Sequence, residues 1–454
     1  MLRKDVNVQP KDKRIKNFRE VSLGCSKKIA SEESQRCPQC SEALCRVSCP
    51  LGVDVPEFIR LIREAKIREA LKKIKEQNAL PAVCGRICSA PCEKSCVLSD
   101  KGGAIRVRML ERYVADSGNS GIPFPNYVTR KGKKVAVVGS GPAGLMAARQ
   151  LAENDFQVTV FEAMDKPGGV LRYAISEFRV PESVLDSEIR EIQSRGVVIK
   201  TNFFIGRTLT ISDLKSMGFS AILLATGAMA QPSGDIAGLN WAGVYLAEEF
   251  LMNFHSEKRG HAPVNHEFMN FASRMVVIGS NPAALDCARI GIRLGKEVKV
   301  VLGGTEDDLE VNSDEKKFAG EEGVVFEVLT RPLEILGEEK GFVRGVRCVR
   351  VDYADPDSTG QWQLKDVGGS EFVLDADMVV VVSSGRPNTI LARMTPGLAI
   401  DSKGAFLTDE ATGMTSLEAV FAGGPASGSL NDLMGAMSSG KRSAENIRKY
   451  LQHE

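Results

Sequence analysis

Histidine is scarce: the 454 residues hold four, and His255, His261 and His266 crowd one short stretch that reads as a solvated loop. A Ser–His–acid triad or a histidine-built hydrolytic metal site has little to stand on here. Long apolar runs are also missing. None approaches the roughly 20 residues that a membrane-spanning helix needs, so no membrane span is expected. Residues 1–20, MLRKDVNVQPKDKRIKNFRE, are charged throughout and lack the apolar segment of a secretion signal. Together these absences point to a cytoplasmic, reducing setting. Disulfides belong to small secreted domains, so dense cysteines in a chain of this length call for another use. The length itself suggests about two to four domains. Net charge is nearly absent at +1, but it is unevenly spread. Residues 1–134 carry 28 Lys and Arg against 15 Asp and Glu, and the remainder carries 31 against 43. No nucleic-acid motif accompanies the basic head, so no nucleic-acid partner is expected. Cations that offset anionic thiolate clusters, or an acidic protein partner, account for it better.

Cysteine is plentiful. Of eleven, Cys25, Cys287 and Cys348 are scattered, and eight fall into two groups. The first, CPQCSEALCRVSCP, runs from Cys37 through Cys40, Cys45 and Cys49 to Pro50 with the spacing C-x2-C-x4-C-x3-C-P. The second is Cys84, Cys88, Cys92 and Cys96. Structural zinc pairs two C-x2-C knuckles, and only one occurs here. A run ending C-x3-C-P is iron–sulfur spacing, in which the last cysteine reaches across to a second cluster. Eight thiols match two clusters, though the count alone leaves open whether all eight are ligands, whether zinc takes some, or whether thiols stay unligated. Between the groups, Asp54-Val55-Pro56-Glu57 predicts a capping box. Phe58, Ile59, Leu61, Ile62, Ala65, Ala70, Leu71 and Ile74 predict a helical core stripe. Gly85 and Pro91 argue against one helical face for the second cysteine group. Residues 117–131, rich in Gly, Pro and Ser, read as a linker.

From Lys133 the texture changes to strand, glycine turn, helix, strand. VAVVGSGPAG sets Gly139, Gly141 and Gly144 as G-x-G-x-x-G directly after a strand. The glycines allow a tight turn, close approach of a pyrophosphate, and helix-on-strand packing, with the helix N-terminus facing the anion. Glu162 ends the next strand, at the distance expected of a ribose partner. Its charge repels a 2′-phosphate, so FAD or NAD fits better than NADP. VVIGSNPAALD opens a second such unit in which Gly279 is kept but Asn281 and Ala284 stand at the later glycine positions. Residues 221–228 (AILLATGA) and 377–388 (DMVVVVSSGRPN) read as buried strands ending in glycine turns. The chain closes on another strand and helix that complete the first unit. The fold class is therefore α/β with parallel sheets, the second unit nested in the first.

These residues together resemble the glutamate synthase small-subunit family, which includes the flavin subunit of NADH-dependent ferredoxin:NADP oxidoreductase and the N-terminal half of dihydropyrimidine dehydrogenase. The carriers are the Cys37–Pro50 run, ALPAVCGRICSAPCEKSCVL, VVGSGPAGL, KPGGVLRYAISEFRVP, and VFAGG with GKRSAENI. The resemblance implies a helical domain with two 4Fe–4S clusters (1–131), an FAD-binding domain (132–240 and 385–454) and an NAD(P)-binding-like domain (241–384). It implies Cys37, Cys40, Cys45 and Cys96 on one cluster, and Cys49, Cys88, Cys92 and Glu111 on the other, with Cys84 an extra thiol and Cys25 a packing residue. For FAD it implies Gly139, Gly141, Pro142, Ala143, Gly144, Glu162, Gly168, Gly169, Val170, Arg179 and Gly424. For the nicotinamide nucleotide it implies Gly279, Asn281, Pro282 and Gly385. Three departures bear on function. The family's G-G-G-N is Gly279-Ser280-Asn281-Pro282 here. Gly303 and Gly304 stand where NADP-using members carry basic residues, followed by Glu306, Asp307 and Asp308. The family's closing Gly-Asp is Gly424-Pro425. The expectation is an oxidoreductase subunit that moves electrons among NAD(H), FAD and two clusters, with NADP(H) disfavoured. Its partner would be a ferredoxin or a larger catalytic subunit in a hetero-oligomer. Two alternatives stay beside it: a flavin/iron–sulfur relay whose nicotinamide site is degenerate, and a zinc-stabilised binding protein.

Overall fold

The structure is a computed structural model that describes residues 6–118, 128, 130–228, 236–258, 272–356, 362–382, 385–429 and 432–453. Two five-stranded parallel sheets carry the α/β part. The first runs Val420–Ala422, Phe219–Leu224, Lys134–Val138, Gln157–Phe161 and Val198–Lys200. The second runs Val325–Glu327, Glu297–Val301, Arg274–Ile278, Met378–Val381 and Val244–Leu246. Central strands such as Val135–Val138 and Met378–Val381 are buried throughout. Their unbroken apolar runs fit strands covered on both faces. In each sheet the strand before a glycine turn sits where the strand order reverses. That is the switch point at which open α/β sheets bind ligands. Strand Val420–Ala422 pairs with Phe219–Leu224, so the C-terminal segment returns to the first sheet and encloses the second unit.

An antiparallel meander, Thr330–Gly337, Val343–Pro356 and Trp362–Asp366, with Phe372–Asp375 on the middle strand, is inserted in the second unit. The sequence reading contains no such sheet. Residue 237 already belongs with it: the Ile335 N–H donates to the Ala237 carbonyl at 2.9 Å.

The cysteine-rich head is helical. Its helices include Lys27–Arg36, Val55–Arg63, Ile67–Lys75, Pro81–Ile87 and Val107–Gly118. The expected stripe is two helices rather than one. The chain breaks at Ala65, which is exposed in the left-handed region (φ 55°), while the other seven stripe residues are buried. The capping box is not formed either. Asp54 holds the N-cap position without a side-chain bond, and its carboxylate lies 3.7 Å from Arg46. Gly85 does not interrupt a helix but sits inside one. A Cβ there would come within 2.6 Å of the Arg112 Cα, so glycine lets helix Pro81–Ile87 cross Val107–Gly118 closely. His255 is buried on helix Ala247–Lys258, not in a solvated loop, and packs on the Phe254 ring. His261, His266 and most of the 117–131 linker lie outside the described residues. No described helix is long and apolar enough to cross a membrane.

Candidate functional site

The two cysteine groups interleave. Cys37, Cys40 and Cys45 of the first group line one partly open cavity with Cys96, the last thiol of the second. Cys49, the last thiol of the first group, lines a second, inner cavity with Cys88, Cys92, Glu111, Cys84 and Asn78. Val55 and Val107 line both, so the cavities share a wall. Short helices Leu44–Val47 and Pro91–Lys94 deliver the crossing thiols, and a Ser48–Ser95 hydroxyl bond of 2.7 Å ties the turns behind them. Left-handed Gln39 and Ala90 (φ 57° and 54°) wrap the chain around the sulfurs. Gln39 Nε2 donates to Cys37 Sγ at 3.5 Å, and the Ala90 N–H donates to Cys88 Sγ at 3.3 Å.

The donor chemistry fits clusters better than a single ion. Among the described residues no three Cys, His, Asp or Glu side chains converge on one ion position. A tetrahedral zinc with bonds of about 2.3 Å requires that convergence. Burial, joined by neighbouring thiolates, pushes Cys45 up to about 11. Burial and Glu111 push Cys88 up to about 12, and burial raises Cys92 further. Burial alone lifts Glu111 to about 7, against the pull of Asn78. A cradle that disfavours its own anions to this degree suits a cationic metal core that supplies the missing charge.

The closing helix Leu433–His453 links this head to the first glycine turn. Met434 lines the inner cavity, Met437 Sδ lies 3.7 Å from Cys84 Sγ, and Lys441 Nζ donates to the Leu51 carbonyl at 2.8 Å. Farther along, Gly440 lies against the Ala143 backbone so closely that a Cβ would overlap it.

Around that turn the sequence-predicted residues converge. Gly139 (φ +105°) leaves no room for a Cβ beside the Ala225 carbonyl, and Gly144 leaves none beside the Gly139 carbonyl. A Cβ on Gly169 would lie 2.8 Å from Gly141 Cα, and one on Gly424 would lie 2.9 Å from Ala143 Cβ. Gly141 itself faces open space, and helix Pro142–Glu153 starts without a side-chain cap, so its N-terminal N–H groups are left for an anion. Glu162 is buried and accepts from the N–H groups of Ser140 (3.0 Å) and Met164 (2.9 Å) and from the Ser140 hydroxyl. The Gly168 N–H donates to Ser140 Oγ at 2.9 Å, and half-exposed Val170 opens the following short helix. Thr226 Oγ1, just past Ala225, is buried without a hydrogen-bond partner. An open glycine cradle, an uncapped helix start, a buried acid and an orphaned hydroxyl fit the FAD dinucleotide. Arg179 is not in this group: its guanidinium lies 3.1 Å from Asp286 and 3.5 Å from Glu315, both of the second unit.

The second turn differs. Gly279 keeps its positive φ (+145°), but the Asn281 carboxamide oxygen accepts from the Ala283 and Ala284 N–H groups at 2.9 and 3.3 Å. The side chain thus takes donors that the first turn leaves free, and Pro282 follows at the helix start. Gly385 follows strand Met378–Val381 on the switch-point side of the sheet. Gly303 and Gly304 lead into the acid turn. There Asp308 accepts from the Thr305 N–H (2.6 Å) and the Tyr353 hydroxyl (2.9 Å), and Asp307 pairs with Lys316. The Glu310 N–H donates to the Ser280 carbonyl at 3.0 Å, so this acid segment abuts the second glycine turn.

Sequence reasoning missed Asn78, Met434 and Met437. It also missed a buried ion network in which Arg289, Arg293 and Arg14 surround Glu322. The i, i+4 spacing of Arg289 and Arg293 was the only signal available.

Comparison with known proteins supports the same family and fold. Residues 14–121 match the family described as dihydropyrimidine dehydrogenase domain II, 4Fe-4S cluster, and residues 133–440 match pyridine nucleotide-disulphide oxidoreductase. The glutamate synthase [NADPH] small chain of Escherichia coli K12 is 31% identical over 98% of this chain and 97% of its own length. That of Azospirillum brasilense is 30% identical over 98% and 94%. The NADP(+)-dependent formate dehydrogenase subunit beta of Moorella thermoacetica is 31% identical over 90% of this chain and 60% of its own. Among solved structures, Mycobacterium tuberculosis FprA in complex with NADPH superposes with a TM-score of 0.58 at 20% identity, over 71% of this chain and 85% of that one, which shows a shared fold. The chain belongs to the glutamate synthase small-chain family of flavin- and iron–sulfur-bearing oxidoreductase subunits.

Proposed function

We propose that this subunit carries electrons between NAD(H), FAD and two 4Fe–4S clusters, and onward to a redox protein docked at the outer cradle. One observation carries the reading most. The crossing of Cys49 and Cys96 sorts the eight expected ligands, four and four, into adjoining cavities joined by one helix to a flavin-type glycine turn. When bound, the flavin takes up hydride and the clusters carry single electrons, chemistry that the cofactors bring and the protein orients. Cys37, Cys40, Cys45 and Cys96 hold the outer cluster; Cys49, Cys88, Cys92 and Glu111 hold the inner one. Gly139, Gly141, Pro142, Ala143, Gly144, Glu162, Gly168, Gly169, Val170 and Gly424 cradle FAD. Arg179, on this reading, acts through the domain junction.

The preference for NAD(H) rests on residues 303–308. A 2′-phosphate needs a cation for charge-assisted bonds, and this chain offers two glycines followed by three acids beside the nucleotide turn. The relatives cited above are named for NADPH or NADP, so the preference for NAD(H) rests on these residues of this chain alone. For the partner, Val47, Leu44 and Val97 are 82%, 54% and 49% exposed beside the outer cradle, with Arg46 among them. An apolar patch in a basic head suits a partner whose apolar face has an acidic rim.

Anaerobic purification followed by NADH and NADPH titration tests the proposal. The expected protein has about eight irons per chain, as two clusters require, and a flavin band bleached by NADH at lower concentration than by NADPH. A flavin that neither nucleotide bleaches would reject the enzyme reading. Asn281 favours one second reading, a relay with a degenerate nucleotide site, because its carboxamide occupies the amides a pyrophosphate would use. That relay is reduced by its redox partner and by neither nucleotide.

A further inference from the structure

We propose that the inner cradle holds two competing ligands for one iron, Glu111 and Cys84, and that Asn78 decides between them. The inference rests on the cluster assignment above. Cys84 lines the same cavity as Cys49, Cys88, Cys92 and Glu111. It stands one turn before Cys88, the residue that caps helix Pro81–Ile87 and whose N–H donates to the Cys84 carbonyl at 3.0 Å, so the two thiols are neighbours at the helix end. The cavity thus offers four thiols and a carboxylate where one cluster takes four ligands.

Thiolate is the softer donor and the usual ligand of iron in such clusters. A carboxylate that keeps the fourth position beside a spare thiol needs something to restrain that thiol. Asn78, 1% exposed, has the required geometry. Its Nδ2 donates to Glu111 Oε1 at 2.8 Å, which orients the carboxylate and leaves Oε2 for iron. Its Oδ1 accepts from the Leu80 N–H at 2.9 Å and from the Cys84 thiol at 3.6 Å. One carboxamide, pinned by a backbone bond, therefore presents the oxygen ligand and holds the sulfur as a hydrogen-bond donor. Exchange of Glu111 for Cys84 releases the thiol proton to solvent as sulfur binds iron, with no change in electron count. Carboxylate and thiolate carry the same charge but differ in donor softness, so the exchange shifts the inner cluster's potential through the ligand atom rather than through net charge. Asn78 is thus a positioning residue that sets the potential through the ligand it selects.

The test uses the full chain, purified anaerobically, with iron and sulfide analysis and EPR of the reduced protein. Glu111→Ala is expected to keep its iron, to show an altered inner-cluster signal and to have a shifted midpoint potential. Glu111→Ala with Cys84→Ser is expected to lose about half the iron, one of two clusters, while Cys84→Ser alone matches the parent. Asn78→Ala is expected to show the Glu111→Ala signal, and adding Cys84→Ser is expected to abolish it; a merely structural role for Asn78 would not depend on Cys84. Equal iron loss in Glu111→Ala and the double variant would overturn the inference, as would an Asn78→Ala signal indifferent to Cys84. A parent protein without an inner cluster would instead overturn the cluster assignment itself.

Discussion

Glu322→Gln is the substitution whose cost follows most directly from the geometry. Glu322 is 3% exposed and receives both arms of Arg289 at 2.9 and 2.8 Å, Arg293 at 2.7 and 3.2 Å, and Arg14 at 3.1 Å. The guanidinium groups of Arg289 and Arg293 lie over the Phe178 ring at 4.6 and 4.2 Å, so the network binds the flavin unit to the nucleotide unit. Burial alone would raise the Glu322 carboxyl, but the hydrogen bonds and charges of the arginines outweigh it and hold the group at about 2, below an ordinary 4.5. At about 1.4 kcal/mol per unit, that difference amounts to about 3 kcal/mol of stability. Leaving buried charges unpartnered independently suggests about 3–5 kcal/mol. Because the folded value is depressed, the contribution is complete above pH 4.5 and is lost as pH falls toward 2. About a quarter has gone by pH 4. The two tryptophans, Trp241 and Trp362, both stand at the meander of the nucleotide unit, so urea unfolding followed by tryptophan fluorescence reads that unit. The expected result is a deficit of about 3 kcal/mol at pH 7 that narrows at pH 4. A deficit under about 0.5 kcal/mol, the scale of a surface substitution, or one that does not change with pH, would refute the reasoning.

Gly144→Ala should yield protein that has lost most of its flavin absorbance while keeping its iron, since the added methyl overlaps a backbone carbonyl that cannot yield. Gly303→Arg should raise the NADPH-to-NADH ratio of kcat/KM by about tenfold or more, the scale of one charge-assisted contact. Gly303 has room for a side chain, its nearest neighbour being Leu364 at 3.6 Å, and an unchanged ratio would place the 2′-phosphate determinant elsewhere.

The parts legible in the sequence were those fixed by local spacing. The glycine turns follow from contacts within a few residues, and the cysteine runs from short loops that bring thiols to one cavity and end at the next. Glu111 was visible only through the resemblance, because a helical glutamate carries no mark of the cavity it faces. One strand of the meander carries no alternation to read: all five residues of Trp362–Asp366 are exposed. The break at Ala65 and the uncapped Asp54 depend on how helix Val55–Arg63 packs, which overrode a good local signal. The resemblance assigned Arg179 to the flavin, yet its partners Asp286 and Glu315 lie more than 100 residues away. The Glu322 network was hidden because Arg289 and Arg293 lie 33 and 29 residues from it and Arg14 near the other end of the chain.

The most direct test of the wiring compares the double variant Cys84→Ser, Cys88→Ser with the parent under anaerobic conditions, so that the spare thiol of the inner cradle cannot stand in for Cys88. Flavin bleaching by NADH and reduction of a ferredoxin are followed in the same sample. The expected variant bleaches at the parent's rate, which shows an intact flavin unit, but fails to reduce ferredoxin because the inner cradle is broken. Ferredoxin reduction at the parent's rate would contradict a route through the thiol cradles.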